Sequence, residues 1–478
     1  MSEKLFDIIV IGSGSGGLSV GLFMATAGFK VLMVSISDND IGGDCLNDGC
    51  VPSKALIHVS RLIHNARQAA NFGLEVHGEV DIQKALRYVY ERQELIRDHE
   101  NAGWLKEQGV DVALGFAHFT GNNEIEVNGT RYKGKRIVIA TGSKPKRLEV
   151  PGVDLVKYYD NENIFKASQL PQRLLVIGGG PIGIEISQAM SRLGSSVTMV
   201  QHGQHILPGD DVAVTAILAN QLIKEGIKII TSASVTQFTC ATSGIIKMAN
   251  GKEQTIDFDA VFVGIGRKLH LDTLQLNNAA IEVKDGGIIK NQYLRTTNRQ
   301  VFVCGDVAGD LMFSHAAEFH ARIILNNLFS PLKKSLNNNN MSWVTFTDPE
   351  VATFGLNEQQ LKKKGIGYLR IEERFIEDDR AVTDAYQYGK LVLFISKKTL
   401  LGKQKILGGT MVAPGAGDLI QELILANAEG LSINAIFNKI YPYPVASRIN
   451  QKLMVNYKSK GLTSLVKNLL QTAFKIFS

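Results

Sequence analysis

Cysteine is scarce in this sequence: four in 478 residues, at positions 45, 50, 240 and 304. So few thiols in so long a chain exclude a disulfide scaffold. Long apolar runs are missing too, and none reaches the roughly twenty residues that a membrane-spanning helix needs. Met1-Ser2-Glu3-Lys4 leads almost at once into an apolar run, without the charged, then apolar, then small-residue order of a secretion leader, so a cytoplasmic protein is expected. A nucleic-acid surface is also lacking. The net charge of +6 reads as spread along the chain, with no basic stripe interleaved with aromatics. In a reducing compartment the close pair at 45 and 50 more often means redox chemistry or metal than a staple, and no resident metal is expected.

What the sequence does have is the same supersecondary unit twice. An apolar run at 6–11 meets a glycine cluster at 12–17, a helix-compatible stretch to Ala27, then Gly28 and a second apolar run at 31–34. A run at 173–177 meets Gly178 to Gly183, a helical stretch to Leu193, Gly194, and a run at 197–200. Each is the strand, glycine turn, helix, strand order of a dinucleotide fold. Pro151 and Pro171 mark boundaries before the second unit, and Asn337 to Asn340 reads as a linker. Beyond it, strand-like (391–395) and helix-like (418–429) segments predict an α+β domain. Near the end of the chain Leu462, Leu465, Val466, Leu469, Ala473, Ile476 and Phe477 recur at helical spacing, with Lys467 and Lys475 elsewhere. That pattern predicts an amphipathic helix, packed on its own protein or, alternatively, in weak contact with a membrane surface.

Gly12-x-Gly14-x-x-Gly17 and Gly178-x-Gly180-x-x-Gly183 share one logic. The first glycine permits a tight turn, the second lets backbone approach a pyrophosphate, and the third lets the helix pack closely on the strand. Two turns imply two nucleotides. The acid expected at the end of each second strand, for a ribose hydroxyl, is absent: Ser35 and Gln201 stand there. Asp38 or Asp40 is the candidate substitute in the first unit. At the second, the missing carboxylate would tolerate a 2′-phosphate near His202 or His205, and NADH versus NADPH stays open.

The stretch Gly42-Gly43-Asp44-Cys45-Leu46-Asn47-Asp48-Gly49-Cys50-Val51-Pro52-Ser53-Lys54 is the most informative. On a regular helix, residues five apart have Cα atoms about 8–9 Å apart, beyond the span of a disulfide. The two sulfurs can meet only if the backbone leaves the helix, which Gly49 permits. This stretch resembles the redox signature of the pyridine nucleotide–disulfide oxidoreductases. The resemblance extends to Ala140-Thr141-Gly142, Gly264-Ile265-Gly266-Arg267, Cys304-Gly305-Asp306-Val307 and the opening of a dimerisation domain at Thr347-Asp348-Pro349-Glu350.

The resemblance implies an α/β fold with two Rossmann-like domains, for FAD and NAD(P), and an α+β dimerisation domain. The expected segments are 1–150 and 273–335 for FAD, 151–272 for NAD(P), 341–457 for dimerisation and 458–478 for the amphipathic tail. It assigns Gly12, Gly14, Gly17, Gly43, Lys54, Thr141, Gly142 and Asp306 to FAD. Gly178, Gly180, Gly183, Gln201, Gly266 and Arg267 fall to the nicotinamide nucleotide. Cys50 is implied as the flavin-facing thiolate and Cys45 as the interchange thiol, with Lys54 paired to Glu185. Cys240 and Cys304 read as small buried residues.

The departures from the family concern the acceptor. Family members that reduce organic disulfides use a His–Glu pair from the partner subunit, yet this sequence has no histidine after His320. Tyr443 and Arg448 occupy the two places. A phenol with a pKa of about 10 is a poor proton shuttle near neutral pH. Asp44 stands where the family commonly has threonine. Tyrosine at this place resembles mercuric reductases, but those also carry a cysteine pair near the C-terminus, and no cysteine follows Cys304 here. The implied enzyme is a homodimeric FAD-dependent NAD(P)H oxidoreductase whose acceptor is a metal ion, as in mercuric reductases, or a small disulfide. The alternatives are a dihydrolipoamide dehydrogenase, a membrane-surface NAD(P)H:quinone-type dehydrogenase and, outside enzymes, a flavin-binding redox sensor subunit.

Overall fold

The computed structural model describes residues 4–398 and 403–477. Strand Lys4–Ile11 is buried along Ile8 to Ile11, on both faces, as a central parallel strand must be. It pairs in parallel with Val31–Ser35 on one side and with the long strand Thr130–Ile139 on the other. Val110–Leu114 extends the sheet beyond Val31–Ser35, and Glu124–Val127 and Ala117–Gly121 form an antiparallel edge on the first half of the long strand. After the second glycine unit the chain returns to this first sheet: Val301–Val303 lies parallel to residues 137–139. The first sheet is thus closed by a segment more than 160 residues away from its neighbour in the chain.

The second unit makes its own parallel sheet, in the order Lys228–Ile230, Ser196–Val200, Arg173–Ile177, Ala260–Val263 and Tyr158–Tyr159. A three-stranded antiparallel sheet, Ala233–Cys240 to Glu253–Asp257, is inserted before its fourth strand. The third region is a five-stranded antiparallel sheet, in the order Ser342–Thr345, Glu350–Gly355, Ile406–Ala413, Lys390–Ser396 and Tyr368–Arg374. Short helices Ala416–Leu419 and Gln421–Ala428 cover it where one longer helical stretch was expected. Among the described residues no helix is long and apolar enough to cross a membrane.

Two expectations fail at the surface. Cys304 is buried, 1% exposed, but Cys240 is exposed. It ends strand Ala233–Cys240 beside the turn to Ser243, where no second layer covers it. The last helix, Ser464–Phe477, exists, but none of its residues is buried, so its apolar face is not covered by the body of the protein as expected.

The glycines of both turns are explained by space. Gly12 and Gly178 have φ of +109° and +111°, and a Cβ at either would sit 2.2–2.3 Å from a carbonyl oxygen of the neighbouring crossover, Ala140 or Gly264. A Cβ at Gly17 would lie 2.0 Å from the Gly12 oxygen, and one at Gly183 2.1 Å from the Gly178 oxygen. Helix and turn therefore touch backbone to backbone. Gly180 meets nothing within 4 Å. Gly17→Ala is expected to cost more than about 4 kcal/mol, seen as insoluble or flavin-free protein. Gly180→Ala should keep its melting temperature within about 2 °C of wild type, and comparable losses in both variants would overturn the steric account.

Candidate functional site

Each glycine turn opens onto a helix N-terminus, Ser15–Thr26 or Pro181–Leu193, and neither helix has a side-chain cap. The first N–H groups and the positive dipole end are left for an anion. Gly43, at φ +61°, approaches so closely that a Cβ would lie 2.7 Å from the Gly14 Cα. A Cβ at Gly180 would meet nothing within 4 Å, and one at Gly14 would touch only the Gly43 Cα, at 3.7 Å; with uncapped helix N-termini behind them, the two turns fit a dinucleotide pyrophosphate. Thr141 and Gly142 follow strand Thr130–Ile139, and Gly266 and Arg267 follow Ala260–Val263, at corresponding ends of the two parallel sheets. Ligands of such sheets bind at these carboxyl ends.

The two positions without an acid have other work. Ser35 is buried, accepts a hydrogen bond from Ser13 Oγ at 2.8 Å and donates to the Ser37 carbonyl. Asp38 accepts from the Ala102 N–H and Asp40 from the Ser37 hydroxyl, so both candidate substitutes are occupied locally. Gln201 is also buried; its Oε1 accepts from the Gly179 N–H at 2.8 Å, and its Nε2 donates to the His205 carbonyl. Gln201 therefore braces the second turn. His202 bonds Ser234 at 2.8 Å, and His205 is exposed.

The cysteine pair sits where one helix breaks and another begins. Cys45 lies in the short helix Gly43–Asn47, and Cys50 opens the helix Cys50–Gln68. Between them Gly49 takes φ −124° and ψ −112°, and a Cβ there would lie 2.7 Å from the Asp44 carbonyl oxygen. Both thiols are free, and they share a hydrogen bond. Cys50 has Ser314 Oγ 3.6 Å away, across the start of helix Ser314–Phe329.

The proton is held asymmetrically. The hydrogen bond from Cys45 pulls the Cys50 thiol down to about 6, assisted by Ser314 and the Lys54 charge and opposed by burial and by Glu185. The same bond, with burial and the negative charge on Cys50, pushes Cys45 far up. Cys50 is the thiolate and Cys45 keeps the proton.

Lys54 stands one helical turn beyond Cys50, and its ammonium is 2.8 Å from Glu185. Glu185, on the helix that follows the second turn, is 5% exposed and also accepts the Phe346 N–H at 2.8 Å. The Phe346 ring lies 4.5 Å from the Lys54 ammonium. Three segments far apart in the chain meet here.

Asn161, Ser143, Ser314 and Phe346 gave no signal in the sequence, and neither did the pairing of Arg267 with Asp44. Arg267 lies 3.0 Å from Asp44, whose carboxylate also accepts from Asn161 at 3.0 Å. Arg267 donates to Ser143 Oγ at 2.6 Å, and Ser143 donates to Asp306 at 2.6 Å. Asp44 therefore ties the redox loop to the loop that ends the second sheet. The carboxylate that looks foreign in the motif is explained by a guanidinium 223 positions away. Burial pushes the Asp306 carboxyl up, and the Ser143 bond and Arg267 counter it.

Tyr443 is 68% exposed, with the Arg448 guanidinium 5.4 Å from its ring centre. The segment beneath it is pinned by Glu422, which accepts from the Tyr441 hydroxyl at 2.5 Å and Asn450 at 2.8 Å and pairs with Lys439. Within one chain Tyr443 faces solvent, and it is not among the groups surrounding the cysteines.

The proton asymmetry has a measurable consequence. In protein reduced with dithiothreitol, iodoacetamide should modify Cys50 with a midpoint near pH 6, the rate rising as the thiolate forms. Cys45→Ala removes the largest stabilising group, the donating thiol, so the midpoint should move upward, further than in Lys54→Met. Unchanged midpoints in both variants would rule out the hydrogen-bonded thiolate.

Comparison with known proteins agrees with this geometry. The model of the pyridine nucleotide-disulphide oxidoreductase family matches residues 6–321, and that of the family's dimerisation domain matches 341–453. A dihydrolipoyl dehydrogenase of Thermus scotoductus is 34% identical over 93% of this chain and 95% of its own. A mercuric reductase of Lysinibacillus sphaericus is 31% identical over 93% of this chain and 81% of its own. Among solved structures, a Cu(II) complex of the HOCl-induced flavoprotein disulfide reductase RclA from Escherichia coli superposes with a TM-score of 0.83 at 24% identity, covering 95% of this chain and 99% of that one, a likeness of fold. On these matches the chain belongs to the pyridine nucleotide-disulphide oxidoreductases, FAD-dependent enzymes that use NAD(P)H.

Proposed function

We propose that this protein is an NAD(P)H oxidoreductase that reduces its acceptor at Cys45 and Cys50, and that the acceptor is a soft metal ion rather than an organic disulfide. The observation that carries the second half is the Tyr443–Arg448 pair where disulfide-reducing relatives have histidine and glutamate. Bound FAD supplies two-electron chemistry between nicotinamide and disulfide. Gly12, Gly14, Gly17, Gly43, Thr141, Gly142 and Asp306 would hold it, and Gly178, Gly180, Gly183 and Gly266 would hold the nicotinamide nucleotide, with Gln201 bracing the turn beneath it and Arg267 engaged by Asp44 and Ser143 instead.

What the chain's own residues do follows from the proton on Cys45. Cys50 is kept anionic by the Cys45 hydrogen bond, Ser314 and Lys54, and Glu185 holds the ammonium in place. A soft cation needs two thiolates, and binding it expels the remaining Cys45 proton to solvent without a dedicated base. An organic disulfide makes the opposite demand: a proton must be delivered to the departing thiolate, for which imidazole is suited. Tyr443 would complete the site of a second subunit, consistent with the dimerisation domain. The intact Lys54–Glu185 pair argues against a sensor that has lost catalysis.

Steady-state turnover with NADH and NADPH should therefore be slow with lipoamide and faster with mercuric ion in the presence of excess thiol. Tyr443→His combined with Arg448→Glu should raise lipoamide turnover by about a hundredfold or more, the usual worth of a positioned acid–base. Brisk lipoamide turnover by wild type, unchanged in Tyr443→Phe, would show that no base is needed and would sink the preference for a metal.

A further inference from the structure

The net charge is not spread along the chain as its composition suggested. Residues 430–478 contain six lysines and one arginine and no aspartate or glutamate, a local charge of +7. The preceding 429 residues hold 45 basic and 46 acidic side chains and are close to neutral. The whole excess lies in the segment that ends with helix Ser464–Phe477.

That helix divides into two halves. At 100° per residue, Leu465, Val466, Leu469, Leu470, Ala473, Ile476 and Phe477 fall on one side, and Lys467, Asn468, Gln471 and Lys475 fall on the other. The apolar side faces outward: Leu465 is 71% exposed, Leu469 60% and Ile476 68%. Lys460, Lys467 and Lys475 are exposed as well. The helix lies beyond residue 453, where the match to the family's dimerisation domain ends. Fourteen residues make about 21 Å of helix, too short to cross a bilayer.

We propose that helix Ser464–Phe477 docks in the plane of an anionic phospholipid surface, its leucine side among the acyl chains and its lysines at the headgroups. Charge decides between occupants. A second copy of the 458–478 tail would bring four lysines against four with no acid on either side, and an acid-free basic segment finds its complement in an anionic bilayer instead. This inference concerns where the enzyme works and does not depend on which acceptor it reduces.

The test is vesicle flotation of the flavin-loaded full-length protein. Its comparisons are a chain ending at Lys460 and the full-length variant Leu465→Glu/Leu469→Glu. The vesicles are phosphatidylglycerol mixed with phosphatidylcholine, or phosphatidylcholine alone. The full chain should float with the anionic vesicles, and less so in 0.5 M potassium chloride, where screening is stronger, than in 0.1 M. Binding should fall by about tenfold or more in both altered proteins and on neutral vesicles, while flavin content and NADH oxidation stay unchanged. The proposal is overturned if the full chain remains unbound, or if the shortened chain floats equally well. A shift of the shortened chain to a smaller assembly, without vesicle binding by the full chain, would show that a second copy covers the helix instead.

Discussion

The contact on which the rest of this structure depends is the pairing of Lys54 with Glu185. Taking a carboxylate to 5% exposure is costly unless every lone pair finds a partner. Glu185 finds two, the Lys54 ammonium and the Phe346 N–H, and each belongs to a different part of the chain. The helix that carries Glu185 continues the same role one and two turns later. Gln188 exchanges hydrogen bonds with the Asp348 backbone, and Arg192, almost wholly buried, joins Asp348 to Glu225. One helix thus clamps the redox helix, the second parallel sheet and the opening of the third region. Lys54 is about a third exposed, so water shares its charge and the clamp depends more on geometry than on Coulomb attraction.

That clamp also sets the chemistry. Lys54 can favour a thiolate on Cys50 only if it is held near the first turn of the same helix, and Glu185 holds it there while slightly opposing the thiolate with its own charge. The larger contribution is the thiol of Cys45, which can donate only because the helix is interrupted at Gly49. Backbone geometry and charge therefore act in sequence: the break brings the sulfurs together, and their proton then settles on Cys45.

What could be read in the sequence was whatever is local. Glycines at fixed spacing sit where a Cβ would strike backbone, so their identity is dictated within a few residues, and both turns were legible. The same holds for Lys54, one helical turn from Cys50. The Asp44–Arg267 and Cys50–Ser314 contacts join residues hundreds of positions apart, and although Asp44, Cys50 and Arg267 stand in recognisable motifs, nothing in the sequence pairs them with one another or marks Ser314. Cys240 was expected inside because small thiols usually are, but its place at a strand end beside a turn is set by sheet topology. The tail was recognised as amphipathic from periodicity. Its exposure depends on what the remaining surface offers, which no pattern within fourteen residues records.

The exchange at residue 443 gains meaning from what surrounds it. Glu422 fixes the loop through Tyr441, Lys439 and Asn450, none of which depends on the side chain at 443. Position 443 is therefore held by groups other than its own, and its chemistry can change while its placement stays. A shape kept without an imidazole is expected where the acceptor needs to be guided between thiolates but needs no proton. Arg448 fits the same reading: beside a phenol it adds positive charge, where a glutamate beside histidine would favour the imidazolium. On the proposed reading, both replacements leave the cysteine pair as the place where acceptor chemistry is decided, and its single proton as the quantity an acceptor must displace or use.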